Sequence, residues 1–184
     1  MRCRARARRI RMILTDVDGT LTDGTLAVLP DGEEVKAYHV KDGVAVLLAQ
    51  IVGLKLGIIT GKRSPGLEKR AERLKISELH QGVINKLPVF EDILARHGLR
   101  PEEVAYIGDD LGDLEVLRRA GLAGAVADAH PAVRKAAHFV CRAEGGRGAY
   151  REFVEFIITA QKKWDAVTSG LRTLFDRSIY YGEQ

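Results

Sequence analysis

The strongest constraint on this chain is a repeated alternation. Short apolar runs at residues 12–17 (Met-Ile-Leu-Thr-Asp-Val), Lys55–Thr60, Val104–Gly108 and Gly124–Ala127 are separated by stretches of helical periodicity at Gly43–Val52, Leu67–Leu74, Lys86–His97 and Asp113–Ala120. Runs this short and uniformly apolar suit parallel strands buried on both faces, and the helical stretches supply the crossovers that parallel pairing needs. Gly53, Gly98 and Gly121 stand where three of those helices should stop. The expected fold class is therefore α/β, a doubly wound parallel sheet. One segment breaks the pattern: within Thr25–Val40, two extended stretches flank Pro30-Asp31-Gly32 and read as a β-hairpin inserted directly after the first strand.

A chain of 184 residues with 46% hydrophobic and 29% charged residues can bury a core and is expected to form one domain, which excludes a disordered polymer. We divide it into a basic N-terminal tail (1–11), a catalytic domain (12–163) and a C-terminal extension (164–184). The formal net charge of +4 is unevenly placed, with Arg2, Arg4, Arg6, Arg8, Arg9 and Arg11 all in the tail. The remainder is close to neutral, which argues against a nucleic-acid partner and leaves the tail as a solvated or frayed terminus. With only Cys3 and Cys141, a disulfide framework is not expected. The apolar runs are far shorter than a membrane span, and the N-terminus lacks the apolar stretch of a signal peptide. A cytoplasmic protein with no membrane partner is expected.

The chemistry concentrates at the ends of the apolar runs. In Asp16-Val17-Asp18-Gly19-Thr20 the two carboxylates are spaced i, i+2 on extended backbone, so both can face one crevice, and Gly19 permits a sharp turn. A second acidic cluster, Asp109, Asp110 and Asp113, follows the Val104–Gly108 run. In a parallel sheet the ends of separated strands meet where strand order reverses, which would bring Asp109 beside Asp16. So much negative charge at strand ends calls for a cation or a shared proton, and oxygen-only ligands suit a hard cation, Mg²⁺ above all. Thr60, Gly61 and Lys86 supply a hydroxyl, a free N–H and an ammonium, the groups that hold phosphoryl oxygens. The segment Gly57–Arg63 is no nucleotide-binding P-loop: it has one residue too few between its glycines, and Arg63 stands where a metal-binding hydroxyl is required.

Taken together, these four segments resemble, in order and spacing, the motifs of the haloacid dehalogenase superfamily of aspartyl-phosphate phosphatases. More narrowly, Asp16–Gly24 (D-V-D-G-T-L-T-D-G), Tyr38–Gly43, Asn85-Lys86, Val104–Asp110, Val126–Pro131 and Gly145–Ala149 (G-G-R-G-A) resemble the capless 3-deoxy-D-manno-octulosonate 8-phosphate phosphatases, from about residue 12 to 161. The resemblance implies that Asp16 is the nucleophile and Asp18 the general acid, then base. It also implies that Asp16, Asp109 and the Asp18 carbonyl ligate Mg²⁺, with Asp110 or Asp113 holding metal waters, and that Thr60 and Lys86 hold the phosphoryl group. The implied reaction releases a free sugar acid for lipopolysaccharide precursor synthesis, in a homotetramer whose hairpins and Gly-Gly-Arg-Gly segments meet neighbouring active sites.

Two positions depart from the family pattern, His39 in place of Asn and Lys62 in place of Arg. Relatives acting on ketodeoxynonulosonate 9-phosphate tend to carry Glu at the position of Lys62 and Glu in place of Arg147. The cationic Lys62 and Arg147 favour the eight-carbon acid, and Arg70 is a further cation for its carboxylate. The competing readings are a phosphatase of the nine-carbon acid or of a nucleotide, an inactive scaffold, and an RNA-contacting protein using Arg2–Arg11. The intact set Asp16, Asp18, Asp109 and Lys86 argues against the scaffold.

Overall fold

The computed structural model describes residues 2–178. Its centre is β1 (Met12–Thr15), whose four residues are all buried. β1 lies between β4 (Lys55–Thr60) and β6 (Val104–Gly108), both parallel to it, with Leu14 opposite Gly57 on one side and Tyr106 on the other. Beyond them come β5 (Glu78–Gln81) on one edge, and β7 (Leu122–Ala125) then β8 (Phe139–Val140) on the other, giving the parallel order β5-β4-β1-β6-β7-β8. The connections leaving β1 and β6 therefore run in opposite directions across the sheet, and the crevice they open lies at the carboxyl ends of β1, β4 and β6.

Helices α2 (Val40–Ile51), α3 (Pro65–Arg73), α4 (Lys86–His97), α5 (Leu114–Arg119), α6 (Pro131–Ala136) and α7 (Ala149–Ala160) flank the sheet, α2 packing on α7 and α4 on α5. Helix α4 has the predicted bounds, closed by Gly98 at a left-handed φ of 60°. Helix α3 begins earlier than its periodicity suggests, because Ser64 caps it by accepting from the Leu67 N–H and Pro65 fits its first turn. The inserted hairpin is present as β2 (Ala27–Val28) and β3 (Glu34–Val35), antiparallel, with Gly32 at φ 87° in its turn. Among the described residues no cap domain accompanies it.

Some sequence expectations need correction. The strand expected at Gly124–Ala127 lies two residues earlier, as Leu122 extends the apolar run and pairs with Ala105. The polar β5 and two-residue β8 carry too little period to be read from sequence. The basic start is not frayed: Arg2–Ala7 form helix α1, which packs on α7. Cys3, Ala7 and Ile10, spaced i, i+4, i+7, make an apolar stripe that the arginines hide, and Arg6 donates to the Gly121 carbonyl at 2.8 Å. The C-terminal extension begins as α8 (Trp164–Ser178), with Val167 buried and Gly170 against Ile51 of α2; its residues 179–184 lie outside the described residues. Among the described residues no helix is long and apolar enough to cross a membrane.

Candidate active site

The site is built where β1 stops being a strand. The Asp16 N–H still donates to Ile107 of β6 at 3.1 Å, so this buried carboxylate inherits its position from the sheet. Val17 then tucks into a small apolar cluster with Ile58 and Leu67, and its carbonyl accepts from the N–H groups of Thr20, Leu21 and Thr22 at 2.9–3.2 Å. That tight loop needs Gly19: its φ is 87°, and a Cβ there would collide with the Asp109 carboxylate. The Gly145-Gly146 pair backs the same loop. Gly146 N–H donates to the Thr20 carbonyl at 3.0 Å, and a side chain at Gly145 would overlap the Gly19 carbonyl.

Lys86, the first residue of α4, closes the crevice from the other side. Its buried ammonium donates to Asp16 Oδ1 at 2.6 Å and to Asp113 Oδ1 at 2.7 Å. Burial alone would lower the Lys86 pKa, but Asp16 and Asp113 outweigh it and hold the amine firmly protonated. Asp113 is saturated: Oδ1 also accepts from the buried Tyr106 hydroxyl at 2.6 Å, and Oδ2 accepts from the N–H groups of Asp109 and Asp110 at 3.1 and 3.4 Å. Asp109 accepts from the Thr20 hydroxyl at 3.0 Å.

One ammonium does not balance these acids. Asp16, Asp109 and Asp113 each place a carboxylate oxygen within 4.8 Å of the others. Burial first, then Asp113, pushes Asp16 above the ordinary carboxylate range, and burial with Asp16 and Asp113 does the same to Asp109. A second positive charge at these oxygens would relieve both, so the donor set fits a hard divalent cation. The Thr60 hydroxyl, at the end of β4, is buried on the same crevice and has no hydrogen-bond partner among the described residues. Lone pairs and protons of this kind suit a phosphoryl oxygen.

The crevice thus gathers most of the predicted site residues: Asp16, Asp18, Asp109, Asp110 and Asp113 on the acidic side, with Thr60, Gly61, Lys62 and Lys86 facing them. Two are placed differently from the rest. Arg70 lies over the Tyr38 ring at 4.8 Å and lines a separate cavity between α2 and α3, while Arg147 is largely exposed and pairs with Asp23 at 3.5 Å. Lys62 lies on the crevice but is paired with Glu34 of the hairpin at 3.0 Å. Sequence reading missed Tyr106, which looks like an ordinary strand residue, and Lys36, whose ammonium reaches both oxygens of Asp18 at 2.5 and 2.7 Å. Neither charge crowding nor spacing singles out either one.

A family model of haloacid dehalogenase-like hydrolases matches residues 71–152, a stretch that contributes Lys86, Asp109 and Asp113. The 3-deoxy-D-manno-octulosonate 8-phosphate phosphatase KdsC of Yersinia pestis is 45% identical over 163 residues, 89% of this chain and 87% of the relative. The Escherichia coli K12 enzyme of the same name is 44% identical over 161 residues, 88% of this chain and 86% of its own. Among solved structures, the Yersinia pestis phosphatase superposes with a TM-score of 0.87 at 44% identity, covering 89% of each chain. The Moraxella catarrhalis phosphatase, solved with magnesium ion, phosphate ion and KDO, gives a TM-score of 0.89 at 35% identity, covering 92% of this chain and 97% of that one. The fold is that of a haloacid dehalogenase-like hydrolase. Within that class, the chain belongs to the 3-deoxy-D-manno-octulosonate 8-phosphate phosphatase family.

Proposed function

We propose that this chain is a magnesium-dependent phosphatase that hydrolyses 3-deoxy-D-manno-octulosonate 8-phosphate to the free sugar acid and phosphate, in the cytoplasm, supplying a precursor of lipopolysaccharide. The observation that carries this reading is the Lys86 ammonium seated between Asp16 and Asp113 beside Asp109, at the ends of β1 and β6. The reading treats residues 12–163 as the catalytic unit, with the segments on either side packing onto it.

Asp16, Asp109 and the main-chain carbonyl of Asp18 would hold the ion, with Asp110 or Asp113 acting through its waters; the Asp113 carboxylate already accepts from Lys86, Tyr106 and two N–H groups, which favours Asp110 for that outer position. Magnesium, when bound, offsets the negative charge that gathers between the phosphoryl group and Asp16. The chain's own groups do the rest. Asp16 attacks phosphorus, the bond from phosphorus to the sugar oxygen breaks, and that oxygen takes a proton from Asp18. Water then attacks the aspartyl phosphate, its proton passing to Asp18, and phosphate leaves with Asp16 restored. Lys86 lies on Asp16 itself and therefore shares the charge of the reacting oxygens in both halves. Thr60 Oγ1 and the Gly61 N–H supply donors to the phosphoryl oxygens.

For the sugar, we assign Lys62, Arg70 and Arg147 to the carboxylate end. Arg147 does not line its own chain's crevice, and the hairpin leaves Val28, Leu29 and Val35 exposed. Both features support a homotetramer in which a neighbouring copy brings Arg147 and the hairpin to the site. Phosphate release from a panel of sugar acid phosphates, neutral sugar phosphates and nucleotides tests the assignment. The octulosonate phosphate should give the highest kcat/KM, and a higher value for the nine-carbon acid phosphate or a nucleotide would reassign the substrate.

A further inference from the structure

The hairpin reaches into the active site through one side chain. Lys36 follows β3 directly, its side chain is only 2% exposed, and its ammonium donates to Oδ1 and Oδ2 of Asp18 at 2.5 and 2.7 Å. Among the described residues, no other side chain or backbone group hydrogen-bonds the Asp18 carboxylate. Nor is Asp18 a member of the tight carboxylate trio: the group within mutual ligand distance is Asp16, Asp109 and Asp113. Asp18 faces the hairpin side of the crevice, where the buried Tyr38 hydroxyl has no hydrogen-bond partner among the described residues.

An aspartate carboxyl on a Gly-turn loop, with two side-chain torsions and a single partner, takes its direction from that partner. A buried ammonium is equally dependent on its acid, because unpaired burial of the charge is costly. The two-residue strands of the hairpin give it little purchase of its own, and its ion pairs to the body of the molecule are Lys36–Asp18 and the exposed Lys62–Glu34. The lysine therefore fixes two things at once, the hairpin against the crevice and the Asp18 carboxyl on the hairpin side of it.

We propose that Lys36 is a positioning residue of the reaction: delivered by the hairpin, it holds the Asp18 carboxyl at the leaving-group side of the crevice and so makes the hairpin part of the catalytic apparatus. This rests on the reading of Asp18 as general acid and base, in which the paired carboxylate is the base form and the acid form carries its proton on one oxygen, toward the leaving group, while Lys36 holds the other. It predicts a selective defect. Proton delivery matters most for poor leaving groups and little for a phenol that departs readily as its anion. Loosening Asp18 should therefore spare aryl phosphates with good leaving groups.

The test is a series of substituted phenyl phosphates, from p-nitrophenyl to unsubstituted phenyl, assayed with magnesium on wild type, Lys36→Met, Lys36→Gln, Lys36→Arg and Asp18→Asn. The parameter read is kcat/KM, which reports the half-reaction up to phosphoryl transfer and is blind to hydrolysis of the phosphoenzyme. These esters carry no sugar, so sugar recognition cannot enter. In Lys36→Met and Lys36→Gln, kcat/KM should stay within about twofold of wild type for p-nitrophenyl phosphate and fall about tenfold for phenyl phosphate, with Lys36→Arg restoring most of the loss. Asp18→Asn should steepen the dependence at least as much. Equal loss across the series in both uncharged variants, or no loss, overturns the positioning role while a steep Asp18→Asn profile leaves the function standing. A flat Asp18→Asn profile instead removes the acid role of Asp18, and this proposal with it.

Discussion

Two charge clusters lie on the same sheet, each around a buried carboxylate, and they are built on opposite principles. At the start of β5, Glu78 accepts from Arg96 at 2.8 and 3.0 Å, with His80 Nε2 and His97 Nε2 each 2.9 Å from its oxygens and Lys55 2.9 Å from His97 Nδ1. One acid is wrapped by several donors, and those hydrogen bonds, Arg96 foremost, hold the Glu78 carboxyl down at about 2. At the carboxyl ends of β1 and β6 the ratio is inverted: Asp16, Asp109 and Asp113 share a single lysine, and Asp16 and Asp109 are pushed up. The first cluster is complete within the chain. The second is complete only with a cation and a phosphoryl group, and this imbalance distinguishes a reacting site from a structural ion-pair network.

The largest expected break in that comparison is Asp16→Asn. It should lower phosphate release by at least about 10⁴-fold while the far-ultraviolet spectrum stays native, because the nucleophile is lost and the shape is kept. Lys86→Ala comes next, with kcat/KM down about 10²–10³-fold if the ammonium stabilises the reacting oxygens; the kinetics of a surface lysine would be close to wild type.

Thermal melts sharpen the contrast by sign. A carboxyl raised in the folded state binds its proton more tightly there than in the unfolded chain. Keeping Asp109 in this site therefore costs stability, in full above its folded value of about 8, and the cost shrinks as pH falls from there, to vanish only below the ordinary Asp value of 3.8; at pH 7 most of it remains. Asp109→Asn should raise the melting temperature of the chelator-treated protein and abolish the further rise that magnesium gives wild type. Glu78 is the reverse case, a carboxyl lowered in the folded state. Its contribution is full above the ordinary Glu value of 4.5 and is lost as pH falls from there toward about 2. Glu78→Gln should lower the melting temperature at pH 7 by a few degrees, on the order of 1 kcal/mol, and leave kcat unchanged. The same sign for both variants would erase the distinction.

The sequence made one of these regions far more legible than the other. Asp16, Asp109 and Lys86 stand out because acids crowd the ends of apolar runs and helix α4 starts at a lysine, and the structure brings all three together. Glu78 and its partners leave no such trace: β5 is a short polar edge strand, and Arg96 and His97 look like ordinary cations in the last turn of a helix. Lys36 was hidden for a similar reason, since a lysine in an exposed hairpin reads as solvated until the chain folds it onto Asp18. Helix α1 was concealed by its own arginines, whose charge outweighs the stripe of Cys3, Ala7 and Ile10 in any composition-based reading. Density of like charge at strand ends survives into one dimension; pairing between distant opposite charges does not.

The central claim is that the crevice acids are an incomplete cluster finished by magnesium for attack on a sugar acid phosphate. Its most direct measurement is phosphate release from 3-deoxy-D-manno-octulosonate 8-phosphate by chelator-treated protein, before and after magnesium is returned. The account predicts near-zero release without the ion and full recovery with it, with Asp16→Asn silent in both conditions. Undiminished release in chelator, or magnesium-stimulated release by Asp16→Asn, would contradict it.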